Sequence, residues 1–356
     1  MKNIDLRSDT VTLPTQQMRE AIYHTELGDD VFGEDKPTKR LEEMAAEITG
    51  TEAALLVPSG TMANLTCVLT HCNRGEEVIL GDKSHIFLNE AGGMSALGGV
   101  QSHILANQPD GSIRLKDIES AIRGDNIHFP RTRLICIENT HNRCNGSPLS
   151  PEYVASVAEL AKKHGLRVHL DGARIFNAVL ALGIDVKEFT QSVDSLMFCL
   201  SKGLSSPIGS MICGSKNFIS EALRTRKMLG GGMRQTGIIA AAGIISLEQM
   251  VNRLSEDHIN ARNLVQGIAQ IPGLSIDLET VKTNIIYFDL TDDTLTADEF
   301  VKQSGQKGVM FLPTGPSRFR MVTHYGIAPE DIDAALTALR EVMGGAKRPV
   351  SPILSD

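Results

Sequence analysis

Two charged residues stand at the ends of apolar runs in this 356-residue chain. In Val168-His169-Leu170-Asp171-Gly172-Ala173-Arg174, Asp171 closes a run with strand character. In Leu200-Ser201-Lys202-Gly203, Lys202 follows another such run, Ser195–Leu200. In open α/β sheets, ligands bind outside the carboxyl ends of buried strands. A carboxylate there can hydrogen-bond a protonated ring nitrogen or pair with an arginine, and it equally makes a good cap for a helix starting near Arg174. A lysine flanked by Ser and Gly rather than by charges suits a Schiff base with an aldehyde cofactor; the ordinary fate of a lysine is a solvated surface. The two residues lie 31 positions apart, room for one helix and one return strand, which brings both to one sheet edge.

A third group is Pro58-Ser59-Gly60-Thr61, directly after the run Ala53–Val57 and before a helical segment starting at Met62. A glycine-containing turn at a helix N-terminus offers free N–H groups and the positive end of the helix dipole to an anion. Thr61 adds a hydroxyl. The sequence is neither G-x-G-x-x-G nor a Walker A motif, so it does not indicate a dinucleotide or a nucleoside triphosphate, and an ordinary cap and turn also satisfies it. A fourth stretch, Arg224 to Gln235, combines Arg224, Arg226, Lys227 and Arg234 with three consecutive glycines. It reads as a phosphate-binding cluster or as a basic helix end followed by a flexible turn.

The elements that must position these groups follow from the pattern of apolar residues. Strands are expected at Ala53–Val57, Glu77–Leu80, Leu134–Glu138, Leu166–Leu170, Ser195–Leu200 and Ile208–Cys213, as nearly continuous apolar runs of a sheet covered on both faces. Between two of them Ser150 caps and Pro151 opens a helix whose apolar face is Tyr153, Val154, Val157, Ala158, Leu160 and Ala161, ending at Gly165. Strand, helix, strand at these lengths is a βαβ unit of a largely parallel sheet. A long helical stretch from Ile238 to about Leu254 leads into a helix ending near Gly267. Strands Asn284–Leu290 and Phe319–Thr323 with helices Ala297–Ser304 and Pro329–Met343 then suggest a smaller α+β domain. The expected division is 1–14 as a segment of the active site, 15–247 as the large domain, 248–343 as the small domain and 344–356 as a mobile tail.

Composition narrows the function. Length sets a prior of about two domains. A net charge of −8 speaks against nucleic acid or an anionic membrane as the main partner. Aromatics at 4%, with no Trp, remove stacking platforms. The N-terminus shows no apolar signal region, and six cysteines without C-x-x-C spacing read as reduced thiols, so a cytoplasmic protein is expected. No ligand spacing points to a metal. Phosphate turn, then acid, then lysine is the order of a pyridoxal-phosphate enzyme of the aspartate-aminotransferase type.

The chain resembles the low-specificity L-threonine aldolases, within the wider group of β-eliminating lyases. The resemblance rests on Asp5–Thr12, Val57-Pro-Ser-Gly-Thr-Met62, His85-Ile-Phe with Glu90-Ala-Gly-Gly93, Glu138-Asn-Thr-His141, Asp171-Gly-Ala-Arg174, Ser201-Lys202-Gly203, Leu229–Gln235 and Arg320-Met-Val-Thr-His324. It implies fold type I, with a mostly parallel seven-stranded sheet, and retro-aldol cleavage of L-threonine, L-allo-threonine and related L-β-hydroxy-α-amino acids to glycine and an aldehyde. The alternative on the same fold is a β-eliminating lyase or an aminotransferase.

The resemblance also implies roles. Lys202 holds pyridoxal 5'-phosphate, Asp171 binds its ring nitrogen and His85 lies over the ring. Ser59, Gly60 and Thr61 take the phosphate, with Arg234 and Lys227 reaching that of a neighbouring subunit in a dimer or tetramer. Arg174 belongs to both the cofactor and the substrate sets: Ser8, Arg174 and Arg320 clamp the substrate carboxylate, for which a planar guanidinium is suited. Arg318 shares a strand face with Arg320, and the motif selects Arg320. His85, His128 or a water removes the hydroxyl proton. Asn89 stands where relatives often carry an aromatic residue, which implies a shifted tolerance for bulky β-substituents such as that of phenylserine.

Overall fold

The computed structural model describes residues 3–345. They divide into two compact units: Thr12–Ser255, and the residues up to Val11 together with those from Glu256 on.

Counting the two-residue strand Ile4–Asp5 as β1, the larger unit carries β2 (Ala53–Val57), β3 (Glu77–Gly81), β4 (Gln101–Leu105), β5 (Thr132–Glu138), β6 (Arg167–Asp171), β7 (Ser195–Cys199) and β8 (Ser210–Gly214). They form one seven-stranded sheet in the order β2-β8-β7-β6-β5-β3-β4. Every residue of β3, β7 and β8 is buried, the mark of strands covered on both faces. Strand β4 carries no such signal: Gln101-Ser-His-Ile-Leu is an edge strand with no fully buried residue, so its apolar run is too weak to read.

Five of the six expected strands pair in parallel with a sheet neighbour or share that direction. The sixth, β8, is antiparallel to both β2 and β7. The chain between Cys199 and Ser210 is shorter than the dozen or so residues that a parallel crossover needs, and it carries Lys202. Because β8 reverses, β2 runs in the same direction as β7. The carboxyl ends of β2, β3, β5, β6 and β7 therefore lie along one edge.

The expected helix forms over Pro151–Lys163, with the Ser150 hydroxyl accepting from Tyr153 N at 3.2 Å and Val154, Val157 and Ala161 buried. The helical stretch after Thr236 is interrupted: Gly237–Ile245 passes through a π-helical turn, Ser246–Met250, into the helix Val251–Ile268. Within that turn the buried Ser246 hydroxyl donates to Leu204 O at 2.9 Å, holding the loop just after Lys202. π-Bulges are frequent at functional sites.

In the smaller unit, β9 (Leu274–Ser275), β10 (Ile285–Leu290), β12 (Leu312–Pro313) and β13 (Arg318–Val322) form an antiparallel sheet ordered β12-β13-β10-β9, while β1 pairs in parallel with β11 (Val309–Met310). Phe288, Phe300, Phe311 and Phe319 pack together, with ring centroids 5.1 to 6.3 Å apart, against Ala261, Leu264 and Ile268. The final helix, Pro329–Gly345, ends the described chain; the tail expected from Gly344 otherwise lies outside the described residues. All six cysteines are free and buried. Among the described residues, no helix is long and apolar enough to cross a membrane.

Candidate active site

The site grows from the carboxyl edge of the large sheet. Asp171 is the last residue of β6 and is buried. Its Oδ1 accepts from Ala173 N at 3.1 Å and its Oδ2 from Asn64 Nδ2 at 2.9 Å. Asp171 thus steadies the following turn through one oxygen and takes the Asn64 amide with the other. Arg174, three residues on, is buried and opens the helix Ile175–Leu182.

The turn after β2 opens the helix Gly60–His71, with the Ser59 hydroxyl accepting from Met62 N at 3.2 Å. Ser59 is therefore the cap, while Gly60 and Thr61 carry first-turn N–H groups that have no intrahelical acceptor. A side chain at position 60 would place its Cβ 2.9 Å from Cys199 Sγ and 3.3 Å from Met197 Cε. Glycine lets the turn close on the end of β7, three residues before Lys202, without displacing either side chain.

Lys202 sits in the loop after β7, half-buried. Its carbonyl accepts from Ser205 N at 2.8 Å and from Thr12 Oγ1 at 3.0 Å. Ser205 holds φ at 62°, a left-handed conformation uncommon outside glycine and typical of over-determined functional loops.

His85 begins the short helix after β3, where Glu138 at the end of β5 accepts its backbone N–H at 2.7 Å. Its Nδ1 lies 2.8 Å from Glu90 Oε1. That hydrogen bond raises the pKa of His85 above the ordinary imidazole value; burial opposes the rise, the Asp171 charge adds to it and the Lys202 charge opposes it. Burial raises the Glu90 carboxyl, while its bonds to His85 and to Asn64 pull it back. Asn64 Nδ2 donates to both carboxylates, at 2.8 Å to Glu90 and 2.9 Å to Asp171. A ring nitrogen of His85 and one carboxylate oxygen each of Glu90 and Asp171 lie within 4.8 Å of one another, with the Asn64 amide bridging the two acids.

The structure thus gathers His85, Asp171, Lys202 and the Gly60 turn at one sheet edge. It also adds Glu90 and Asn64, to which no role had been given. Glu90 had a signal, since it lies five residues after His85 in a matched motif. Asn64 had a fainter one, a lone amide within the buried helical stripe Ala63, Cys67, Val68. His128 stands on an exposed loop, its N–H held by Asn126 Oδ1 at 2.9 Å. Asn89 caps the short His85 helix and is exposed.

The basic segment resolves unevenly. Arg226 is consumed inside the fold: its guanidinium is buried and donates to Leu56 O at 2.7 Å and to Asp30 at 2.9 Å. Arg234 pairs with Asp29 at 3.0 Å on the surface. Lys227 lines a cavity of about 970 Å³ beside Ala53–Leu55, with Asp30, Glu42 and Lys216; His85, Asp171 and Lys202 take no part in it.

In the smaller unit, Arg318 is exposed, 3.8 Å from Asp289 and over the Tyr287 ring at 5.2 Å. Arg320, on the same face of β13, donates to Arg7 O at 3.2 Å, next to Ser8. Ser8 Oγ accepts from Thr10 N at 3.2 Å, and His324 Nε2 donates to Asp5 O at 2.7 Å. The motif residues Arg320 and His324 thereby hold the segment that carries Ser8.

The large sheet with its acid, lysine and helix terminus on one edge is the fold type I architecture of pyridoxal-phosphate enzymes. A solved threonine aldolase from Leishmania major superposes with a TM-score of 0.82 at 18% identity, covering 95% of this chain and 99% of that one. A structure described as SPT with PLP internal aldimine matches at 0.74 and 19%, covering 97% and 88%. The beta-eliminating lyase family model matches residues 5–291. Low-specificity L-threonine aldolase 1 of Arabidopsis thaliana is 45% identical over 347 residues, 96% of this chain and 97% of the relative. The low specificity L-threonine aldolase of Escherichia coli K12 is 43% identical over 330 residues, 92% and 96% respectively. The chain belongs to the beta-eliminating lyase family, among its low-specificity L-threonine aldolases.

Proposed function

We propose that this chain cleaves L-threonine, L-allo-threonine and related L-β-hydroxy-α-amino acids to glycine and an aldehyde, with pyridoxal 5'-phosphate joined to Lys202. The observation that carries this reading is the convergence of Asp171, the His85–Glu90 pair and the Lys202 loop at one sheet edge, in a chain with threonine aldolase relatives above 40% identity. The residues fit the cofactor. A buried carboxylate suits a protonated ring nitrogen, and the turn closed by Gly60 suits a phosphate. When bound, the group supplies an electron sink for the bond cleaved between Cα and Cβ.

The protein's own groups do the rest. Asp171 holds the ring nitrogen's proton, Gly60 and Thr61 bind phosphate, and Ser59 keeps that helix end capped. Ser8, Arg174 and Arg320 are the residues for recognising the substrate carboxylate. His85 and His128 are the candidates for taking the β-hydroxyl proton. His85 does so from Nε2, because Nδ1 faces Glu90. Lys227 and Arg234 reach the phosphate of a second copy, in a cytoplasmic homo-oligomer, a dimer at least and a tetramer by family likeness. The experiment is aldehyde release from L-threonine by the wild-type enzyme, together with Lys202→Ala. Loss of both turnover and the visible lysine-bound cofactor band in Lys202→Ala supports the reading. A wild type that binds the cofactor yet transaminates or eliminates instead overturns it.

A further inference from the structure

Behind Asp171 runs a buried chain of polar groups that the proposed reaction does not use. Asn64 and His71, seven residues apart, share one face of the helix Gly60–His71. That face lies over β6 and β7, where His169 and Ser195 are register partners. His71 Nε2 is 2.8 Å from Ser195 Oγ, Ser195 Oγ is 2.9 Å from His169 Nδ1, and His169 Nε2 is 3.0 Å from Asn64 Oδ1.

The donors can be assigned in only one direction. Both amide hydrogens of Asn64 face carboxylates, so its oxygen faces His169 and must accept. His169 then carries its proton on Nε2, its Nδ1 accepts from the Ser195 hydroxyl, and the Ser195 oxygen accepts from His71. Each bond polarises the next toward the two acids. Burial keeps both imidazoles neutral, with pKa values near 3 for His71 and near 4 for His169, so no charge on the chain competes with the carboxylates. His71 itself stacks on Phe218, with centroids 4.5 Å apart.

We propose that Asn64 and His169 are positioning residues: the donor chain His71, Ser195, His169, Asn64 orients the carboxyl groups of Asp171 and Glu90 and so fixes the acceptor presented at the cofactor's ring-nitrogen end. This rests on the pyridoxal-phosphate reading above. It also links the two ends of the site, since one amide serves both the ring-nitrogen partner and the partner of His85. The titratable groups that face this pair of acids are His85, Lys202, His169 and the buried thiols Cys67 and Cys136.

The test compares holoenzymes of the wild type, His169→Leu, His169→Gln, Ser195→Ala and Asn64→Asp. The readouts are cofactor Kd by titration, the apparent pKa of the visible Schiff-base band and the unfolding temperature of the cofactor-free protein. A positive ring lowers the pKa of the neighbouring imine, so weakening Asp171 raises it. His169→Leu is expected to weaken cofactor binding by up to about tenfold, the size of one buried hydrogen bond between neutral groups, and to raise the band's pKa by up to about one unit. His169→Gln, which keeps a donor toward Asn64, restores both. Ser195→Ala moves them less, in the same direction, and Asn64→Asp, which replaces the shared donor with a third acid, changes the cofactor Kd most. If His169→Leu does not fold, Ser195→Ala and Asn64→Asp carry the test. Unchanged Kd and band pKa in the folded variants, with only the unfolding temperature lowered, reduce the chain to packing and overturn the inference. Absence of the band in the wild type removes the cofactor reading and this inference with it. A wild-type band lost in Lys202→Ala keeps the first while the variants decide the second.

Discussion

His85 Nδ1 and Glu90 Oε1 stand 2.8 Å apart, and the carboxylate of the pair is the buried partner. This bond is the leading cause that lifts the pKa of His85 above the ordinary 6.5. Glu90→Gln is therefore expected to lower it, which an NMR titration of the His85 ring reads directly. The charged imidazole is favoured in the fold, so the stability it contributes is fully present below pH 6.5 and lost as pH rises through the raised value. Glu90→Gln should flatten that part of the stability profile. A His85 titration unmoved by the substitution would sink the assignment.

Acid should weaken the fold well before the carboxylates titrate. His71, His169 and His258 have pKa values pushed by burial to about 3, 4 and 4. Each takes up a proton on unfolding once pH falls below 6.5, so the unfolded state binds more protons and stability falls with pH down toward 4. Urea midpoints measured across that range should decline steadily. His258→Gln should remove about a third of the histidines' contribution to the slope.

Glu42 behaves in the opposite sense. Burial pushes its carboxyl from 4.5 up to about 7 while it accepts from Leu56 N at 2.9 Å. Between those values the unfolded chain releases a proton that the fold retains, so stability falls as pH rises. Glu42→Gln keeps an acceptor for Leu56 without the titration. It should stabilise by on the order of 2 kcal/mol at pH 8, with the gain vanishing near pH 5. Denaturant unfolding at the two pH values checks this.

Arg226 is buried with Asp30 and Leu56 O as partners. Arg226→Leu leaves both without their donor and should cost about 3 kcal/mol in denaturant unfolding. Adding Asp30→Asn should recover part of the loss. An additive double mutant would show that the pair is uncoupled.

Asn89 caps the helix that begins with His85. Asn89→Tyr is expected to shift the kcat/KM ratios among L-threonine, L-allo-threonine and L-phenylserine. Identical ratios in the two proteins would remove the residue from substrate selection.

Residue pattern alone disclosed the buried strands and the glycine turn that opens the helix Gly60–His71, because continuous apolar runs and a glycine at a helix start leave few other conformations. It also placed Asp171 and Lys202 at one edge, since strand ends and spacing constrain both. It did not disclose β4, whose half-exposed residues alternate weakly, or the reversal of β8, which depends on how short its connection is. Glu90, Asn64 and His169 lacked roles because their meaning lies in partners from other elements. His169 sits two residues before Asp171, on the same strand face, yet its partner Ser195 comes from β7 and Asn64 from a helix more than a hundred residues earlier. Arg226 looked like part of a phosphate-binding cluster until burial showed its charge already spent on Asp30.

The pairing of β2 with β8 joins Val57 to Ser210 across more than 150 residues. The strand that leads into the Gly60 turn therefore has no partner in the sheet until β8 has been made and docked. Contacts this distant in sequence form late and slow a folding reaction. On the ribosome, the first half of the chain can build β3, β4 and β5 while the turn at Gly60 stays unfinished. If the turn holds the cofactor's phosphate as proposed, that site is incomplete before the chain as far as residue 214 has emerged, and cofactor capture comes late in the maturation of the enzyme.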